Sequence, residues 1–284
     1  MKKEIIEIDK EKGIYRITTT DERWYTLEEK DETTGLPSLN FRPNVTWITG
    51  YVYKGIEFYK WLASRGWDEA EVIKTEAGDK GSKVHNATGN LINGLVVKMT
   101  DKYLNNSTGL EEELKADEYE AIISFATWFN KIKPEILLRE LVVISKIHNY
   151  AGTVDLVIKI EDQVWIIDIK TSQSIWPSTE AQVSAYKQAL KEMGRNVKDV
   201  KLAILQLGYR KNKNKYKFTE IEDKFEKLFL PALSFWKDAN EGKSPKQIEL
   251  PLEIKLELPK KEEVPSKKEL KIDMSVKKSN NKKK

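Results

Sequence analysis

One stretch of the chain decides the fold, and it covers residues 152–172 with the sequence GTVDLVIKIEDQVWIIDIKTS. Two strongly apolar segments flank Glu161 and Asp162, and apolar runs separated by turn-forming residues predict a β-hairpin. A hairpin centred on that turn places Asp155 directly opposite Asp168. The stretch therefore predicts two facing carboxylates in a buried hairpin.

The two opposed aspartates require a compensating cation. Like charges that face each other across a sheet destabilise it by up to ~1 kcal/mol even where they are solvated, and apolar neighbours increase that cost. Because side chains alternate along a strand, Lys170 lies on the face of Asp168, while Ile167 and Ile169 point into the core. Two acids and one lysine fit a hard divalent cation such as Mg²⁺. The alternative is a buried ion pair, formed diagonally between Asp155 and Lys170.

The segments around the hairpin predict an α/β domain. Residues 4–30 alternate in short apolar stretches, which is typical of a small β-region. Further strands are expected over residues 136–147, 199–208 and 215–221. The spacing of apolar residues predicts helices over 55–65, 68–99 with interruptions at its glycines, 110–132, 178–193 (opened by Ser178 or Thr179) and 222–238 (kinked at Pro231).

We expect one domain over residues 1–244, with an N-terminal helical and β-hairpin elaboration over 1–67 and a core over 68–244. Residues 245–284 are rich in Lys, Glu and Pro, and we expect this tail to be largely disordered. Residues 255–284 hold eleven lysines against four glutamates and one aspartate. A basic tail suits a polyanionic partner, or it simply keeps a disordered end in solution.

The composition excludes several classes of site. The 284 residues include no cysteine and two histidines, and the net charge is +4. Without cysteine there is no disulfide, no iron–sulfur cluster, no Cys-based zinc site and no cysteine nucleophile. The chain has no run of 18 apolar residues, so no transmembrane helix is expected. The first ten residues mix both charge signs, unlike a secretory signal. We therefore expect an intracellular, cytoplasmic protein without a membrane partner.

The hairpin belongs to a longer series of motifs. Along the chain these are Glu140 on the preceding strand, Gly152-x-x-Asp155, Asp168-x-Lys170 and Gln182-x-x-x-Tyr186. In this order and spacing they resemble the PD-(D/E)XK nuclease superfamily, and within it the RecB-like exonucleases, including phage forms. Upstream, residues 80–85 (KGSKVH) resemble the first motif of that branch, a helix that supplies one histidine.

Three features depart from the pattern of the family. Asp168 stands where many members have Glu, although the RecB-like branch accepts Asp. Gly89 stands where the branch often has a glutamate four residues after the histidine. The four-cysteine iron–sulfur cluster of several relatives is absent, so packing has to replace any structural role of that cluster.

The resemblance implies a restriction-endonuclease-like core, with a central mixed β-sheet flanked by helices, and a metal-dependent nuclease activity. Asp155, Asp168 and the backbone carbonyl of Ile169 are then ligands of Mg²⁺ or Mn²⁺. His85 is a candidate further metal ligand, and binding by it would favour Mn²⁺ because imidazole suits softer metals than Mg²⁺. The alternative is that His85 is an ordinary helix histidine with its hydrogen bonds satisfied. Glu140 holds a second metal or orients a bound water.

The same resemblance assigns roles in catalysis and substrate binding. Lys170 positions the attacking water and stabilises the charge of the transition state. Gln182 and Tyr186, four apart on a predicted helix, share a face and bind a phosphate or Lys170; alternatively the helix is merely amphipathic and Tyr186 packs on the sheet. A basic and aromatic stretch over residues 209–218 either follows a DNA backbone or forms a solvated hairpin tip, and its candidate contacts are Lys211, Lys213 and Lys215.

The expected function is hydrolysis of phosphodiester bonds in linear double- or single-stranded DNA. The resemblance favours an exodeoxyribonuclease in phage-type DNA replication, recombination or degradation, together with a partner protein of replication or recombination. Two alternatives stay open, a catalytically inactive nucleic-acid-binding relative and an endonuclease or junction resolvase of another branch. An RNA substrate also stays open.

Overall fold

The chain begins with an antiparallel meander of four strands. A computed structural model describes residues 4–9, 14–18, 23–30 and 37–245. The four strands follow one another in space as in sequence: β1 Glu4–Asp9, β2 Ile14–Thr18, β3 Arg23–Lys30 and β4 Pro37–Pro43. The β-region expected over residues 4–30 is therefore present, and β4 extends it.

A helical segment leads from this meander to the central sheet. Its elements are α1 Val45–Ile48, a 3₁₀ turn Thr49–Tyr51, α2 Ile56–Arg65, α3 Trp67–Ile92, a small hairpin of β5 Lys102–Leu104 and β6 Glu111–Glu113, and α4 Ala116–Ile132. No helix among the described residues is both long and apolar enough to span a bilayer.

The central sheet has five strands. They are β7 Glu135–Ser145, β8 Tyr150–Ile160, β9 Gln163–Lys170, β10 Lys201–Leu207 and β11 Tyr216–Ile221, in the spatial order β11-β10-β9-β8-β7. Only β9 and β10 run parallel within this sheet, and α5 Pro177–Glu192 connects them. A π-helical turn Phe225–Phe229 and α6 Leu230–Ala239 follow. This is the expected mixed sheet flanked by helices, consistent with a restriction-endonuclease-like core.

Helices cover both faces of the central sheet. On one face, Ile167 and Ile169 pack with Val84 of α3 and Phe125 of α4. On the other face, Ile166 belongs to a cluster formed with α5 and the π-helical turn. A polar side chain in β9 is therefore removed from water on whichever face it lies.

The β8–β9 hairpin has the predicted register. Leu156 pairs with Ile167, and the turn lies at Glu161 and Asp162, where Glu161 adopts a left-handed φ of 53°. Counted outward from the turn, the last paired residues are Leu156 and Ile167. Asp155 and Asp168 come next on their strands. The predicted facing acids thus lie where β8 and β9 begin to separate.

Several predicted helix boundaries were wrong. Helix α3 ends at Ile92 instead of 99, because the chain reverses at Gly94 with φ of 78°. Helix α4 begins at Ala116 instead of 110, because residues 111–113 pair with residues 102–104. The interruptions predicted at Gly78, Gly81 and Gly89 are absent, whereas Gly94 does mark the end of the helix. Local spacing alone does not reveal these limits, which depend on strand pairing.

The two C-terminal helices also begin differently from the prediction. Helix α5 starts at Pro177, with Trp176 as its N-cap residue, so neither Ser178 nor Thr179 caps it. Pro231 lies in the first turn of α6, directly after the π-helical turn Phe225–Phe229. The single helix predicted over 222–238 is therefore divided next to this proline, and the kink itself stays a prediction.

The N-terminal meander packs against the central sheet and the last helix. Trp24 of β3, Trp47 of α1 and Trp236 of α6 form an edge-to-face cluster with ring centroids 5.1–6.1 Å apart. Tyr25 Oη lies within hydrogen-bond distance, 2.9 Å, of Thr153 Oγ1 on β8. The predicted division into an N-terminal elaboration over residues 1–67 and a core over 68–244 stays a prediction. Residues 246–284, nearly all of the predicted tail, lie outside the described residues.

The close packing of β8 on α5 requires a glycine at position 152. A Cβ at Gly152 would lie 2.7 Å from Tyr186 Cε1 and 3.1 Å from Val45 Cγ2. Such distances are too short for carbon atoms, so the side chains or the backbone would have to move. The glycine of the Gly-x-x-Asp motif therefore lets α5 and α1 approach the strand.

Replacing Gly152 by Ala should lower the free energy of unfolding by about 1–3 kcal/mol, because the added methyl overpacks the contact with Tyr186. Gly78→Ala is the matched control, since nothing lies within 4 Å of a Cβ there and alanine in a helix gains about 0.5–1 kcal/mol over glycine. Urea denaturation measures the free energy of unfolding of both variants. Equal effects of the two substitutions would contradict the packing argument.

Glu192 ties the end of α5 to the β7–β8 turn. Its side chain is 5% exposed, and its carboxylate accepts hydrogen bonds from Ser145 Oγ at 2.7 Å and the Ile147 N–H at 3.2 Å, and lies 2.8 Å from His148 Nδ1. Burial acts to raise the pKa of Glu192, but these hydrogen bonds outweigh it and hold the pKa below its ordinary value. The ionised form is therefore the one that stabilises the fold.

The Glu192→Gln variant should unfold with a free energy about 1–3 kcal/mol smaller than wild type at pH 7, because buried donors lose a charged acceptor. A depressed folded pKa contributes stability above the unfolded value of 4.5, and that contribution is lost as the pH falls through the folded value. Urea denaturation should therefore show that the difference in free energy of unfolding between wild type and Glu192→Gln becomes smaller below pH 4.5. The exposed Glu57 provides the control variant, Glu57→Gln, and a pH-independent difference for Glu192→Gln would refute the assignment.

Candidate active site

The predicted site residues surround a cavity at the end of β9. The cavity has a volume of about 720 Å³, and its walls come from α3, from β2 and β3, and from β7, β8, β9 and α5. Of the predicted residues, the lining side chains include His85, Glu140, Asp155, Asp168, Lys170, Gln182 and Tyr186. Residues as far apart in sequence as Arg16 and Tyr186 thus line one cavity.

Three side chains bring potential metal ligands together. His85 of α3, Glu140 of β7 and Asp155 of β8 each offer one ligand atom, and these atoms all lie within 4.8 Å of one another. Glu140 has a left-handed φ of 47°, which costs a non-glycine residue about 1–2 kcal/mol. Removal from water and the nearby Asp155 carboxylate raise the pKa of Glu140. Strain and charge repulsion at one point indicate that the arrangement serves a bound cation.

His85 is oriented by the backbone of β9. Its Nε2 lies 2.9 Å from the carbonyl oxygen of Ile169, and its Nδ1 lies 3.6 Å from Asp155 Oδ1. When Nε2 carries the proton and donates to Ile169, the lone pair of Nδ1 faces the carboxylate. A hydrogen bond at the second ring nitrogen is the usual way in which a metal-binding histidine is held. The predicted Ile169 carbonyl is therefore engaged by His85.

The two oxygens of Asp155 have different partners. Oδ2 accepts a hydrogen bond of 2.7 Å from the backbone N–H of Ile169, which continues the contact between β8 and β9 beyond their paired ladder. Oδ1 faces His85. One oxygen thus holds the hairpin together while the other remains available in the cavity.

Asp168 is paired with Lys170 and lies outside the three-residue cluster. Its side chain is 1% exposed, and Oδ2 lies 2.7 Å from Lys170 Nζ. Burial raises the pKa of Asp168 to about 6, with Lys170 opposing the shift and Asp155 adding to it. Burial acts to lower the pKa of Lys170, but the carboxylates of Asp168 and Asp155 outweigh it and raise this pKa above its ordinary value. The lysine is therefore an ammonium at neutral pH.

The ion pair differs from the alternative considered from sequence. A diagonal pair between Asp155 and Lys170 was considered there, yet Lys170 bends back to Asp168, two residues earlier on the same strand. The flexible lysine stem makes this contact possible. Within the described residues, Asp168 Oδ2 is buried without a hydrogen bond of good geometry, which leaves it able to accept a further ligand or cation.

A hydrogen-bonded chain runs from Lys170 into α5. Lys170 Nζ donates to Gln182 Oε1 at 3.3 Å, and Gln182 Nε2 donates to Tyr186 Oη at 2.7 Å. The predicted contact with Lys170 is present, and Tyr186 also packs closely against β8; phosphate binding by Gln182 and Tyr186 stays a prediction. Burial and the Asp168 and Asp155 carboxylates raise the pKa of Tyr186 well above its ordinary value. Its hydroxyl thus keeps a proton to donate.

The predicted basic contacts lie outside this cavity. Residues 208–215 connect β10 to β11, and Lys211, Lys213 and Lys215 are absent from the cavity lining. Lys215 Nζ lies 3.4 Å from a carboxylate oxygen of Glu120 on α4. The loop follows the carboxyl end of β10, beside that of β9, because these strands are parallel.

Several lining residues were missed from sequence. The N-terminal meander and the segment after it contribute Arg16, Arg23, Tyr25, Asn44 and Thr46, and α3 contributes Lys80, Ser82 and Asn86. Lys80 and Ser82 could have been found from their position in the motif of His85. Asn44 and Thr46 lie in residues 43–47 (PNVTW), a segment with weaker similarity to phage-type members of the family. Arg16, Arg23 and Tyr25 carry no recognisable motif, because only the packing of the meander on β8 brings them here.

The side chains present fit a divalent cation. The ligand atoms of the cluster are carboxylate oxygens and an imidazole nitrogen, which suit Mg²⁺ or Mn²⁺. The buried Asp168 Oδ2 adds an oxygen that lacks a hydrogen bond among the described residues. Without cysteine, this chain cannot form the iron–sulfur cluster of some relatives.

Comparison with known proteins agrees with this geometry. The family model described as the PD-(D/E)XK nuclease superfamily matches residues 58–249, a range that contains the histidine, the acids, Lys170 and the Gln-x-x-x-Tyr motif. No curated protein matches the chain significantly. The matched range and the acidic hairpin with its lysine lead to one conclusion: the chain belongs to the PD-(D/E)XK nuclease superfamily.

Proposed function

We propose that the chain is a DNA nuclease that depends on a divalent metal and acts as an exodeoxyribonuclease of the RecB-like branch. The observation that carries the proposal is the convergence of His85, Glu140 and Asp155 within 4.8 Å beside the ion pair of the buried Asp168 and the half-buried Lys170. Family membership supports a nuclease acting on DNA.

The proposed metal ligands are His85 Nδ1 and the carboxylates of Asp155 and Glu140, with Asp168 and the Ile169 carbonyl as the remaining candidates. A bound Mg²⁺ or Mn²⁺ supplies Lewis acidity and a bound water of lowered pKa. Asp155 is the best placed of these candidate metal ligands, because Oδ2 is held by the Ile169 N–H while Oδ1 faces the cavity. Glu140 would hold a second metal or orient a water.

Lys170 acts as a fixed positive charge. Its ammonium group is held by Asp168 at 2.7 Å and by Gln182 at 3.3 Å. A protonated amine cannot remove a proton from water, so its role is to orient the attacking water and to stabilise negative charge on the phosphoryl oxygens. Gln182 positions this ammonium, and the Tyr186 hydroxyl has a proton to donate to a phosphate oxygen.

Two further parts of the proposal concern the path of the substrate. Residues of the described strands β2 and β3 line the cavity together with residues of α3, which supports a partly enclosed site suited to a strand end. Lys211, Lys213 and Lys215 would follow the DNA backbone outside the cavity. The biological setting that we propose is intracellular DNA replication, recombination or degradation of phage type, with a partner protein of one of these processes.

Removal of either member of the buried pair should abolish hydrolysis. Asp168→Asn and Lys170→Met should each lower kcat by at least about 10²–10³-fold, because each removes a charge aimed at the reaction centre. The same hairpin offers matched controls, Asp162→Asn in the exposed turn and Lys159→Met. Degradation of labelled linear DNA is measured with Mg²⁺, Mn²⁺ or EDTA. Equal activity of the Asp168 and Asp162 variants, or full activity in EDTA, would exclude this site.

The mode of attack is tested with DNA of different topology. An exonuclease should degrade linear single- or double-stranded DNA with Mg²⁺ or Mn²⁺ and leave a covalently closed circle of the same sequence intact, because the circle has no end. Gel electrophoresis of samples taken over time shows whether the linear DNA, the circle or both are degraded. Cleavage of the circle at a comparable rate would favour an endonuclease or resolvase, and an inert wild type would favour a binding protein.

A further inference from the structure

Two arginines of the N-terminal meander face the active-site cavity. Arg16 on β2 pairs in register with Tyr25 on β3, and Thr18 pairs with Arg23. Side chains two residues apart on a strand share a face, so Arg16, Arg23 and Tyr25 project from the same side of the meander. All three line the cavity. The hydrogen bond between Tyr25 and Thr153 fixes this face against β8.

These two cations lack the partners that the other cavity cations have. Lys170 is paired with Asp168, and Lys80 is paired with Asp117. Neither Arg16 nor Arg23 forms an ion pair with another residue in the part of the chain that the structure describes. Within the same part, the buried Nε of Arg16 has no hydrogen-bond partner. Donors left without partners in a cavity are suited to a ligand with acceptor oxygens.

The position of the arginines relates them to the acids of the site. Arg16 lines the same cavity as Glu140 and Asp155, two of the proposed metal ligands. A guanidinium is a planar fork that binds two phosphate oxygens at once. Both arginines lie outside the family match over residues 58–249, so they are a property of this chain's own N-terminal meander.

We infer that Arg16 and Arg23 form a phosphate-binding subsite for the nucleic-acid strand in the cavity, beside the bond to be cleaved. The inference rests on the proposed function only in that the ligand is a nucleic-acid strand. The phosphate is either an internal phosphodiester or a terminal phosphomonoester, since both present the same oxygens. The N-terminal meander is then part of the substrate-binding surface.

Binding in the absence of hydrolysis tests this subsite. Fluorescence anisotropy of a labelled single-stranded oligonucleotide in EDTA should show affinities about 10-fold weaker for Arg16→Gln and for Arg23→Gln, because each loses a charge-assisted hydrogen-bond pair. The slope of log affinity against log salt should fall by about 0.7 for each arginine. Arg16→Lys keeps the charge without the fork and should bind with intermediate affinity. The control is Arg195→Gln, on an exposed residue beyond the C-terminal end of α5 and outside the cavity lining.

The outcomes separate this inference from the proposed function. Arginine variants that bind as tightly as wild type, or no more weakly than Arg195→Gln, overturn the subsite even if the enzyme degrades DNA. Weaker binding by both arginine variants supports the subsite even if wild type with Mg²⁺ or Mn²⁺ cleaves nothing. A wild type that binds no strand overturns both proposals. Oligonucleotides with a 5′-phosphate and with a 5′-hydroxyl identify the source, since a terminal site loses its arginine dependence with the hydroxyl.

Discussion

A carboxylate buried in a sheet that is covered on both faces is the constraint on which the site depends. Asp168 is 1% exposed, and an isolated charge in such surroundings is strongly unfavourable. Lys170 compensates it at 2.7 Å. Because the lysine stem bends back to reach its own strand neighbour, the ammonium has a defined place at the end of β9. The surrounding elements then pack around this pair.

Each element near β9 is attached to that strand end by its own contact. Gln182 of α5 accepts from Lys170 and donates to Tyr186, whose ring packs so closely on β8 that position 152 has to be glycine. On the other side, α3 is held through His85 and the carbonyl of Ile169. Helices from both faces are thus oriented by one strand, which keeps their functional side chains preorganised.

Much of the site was predictable from the hairpin, because its geometry is local. A tight turn at Glu161 and a side-chain period of two determine the register and place Asp155 and Asp168 together. The direction taken by Lys170 was not predictable, since it depends on the conformation of a flexible stem. The limits of α3 and α4 also escaped prediction, because α3 ends where the chain reverses at Gly94 and α4 begins only after residues 102–104 have paired with residues 111–113.

The sequence by itself determined the acidic hairpin, the lysine beside it and the Gln-x-x-x-Tyr helix, because each motif lies within one or two neighbouring elements. Only the tertiary structure decided that Glu140 and His85 approach Asp155, and that Arg16 and Arg23 face the same cavity. Those contacts depend on how distant elements dock, through Trp24 against Trp236 and Tyr25 against Thr153. Such docking results from burial and shape complementarity across the chain, which no local pattern of residues encodes.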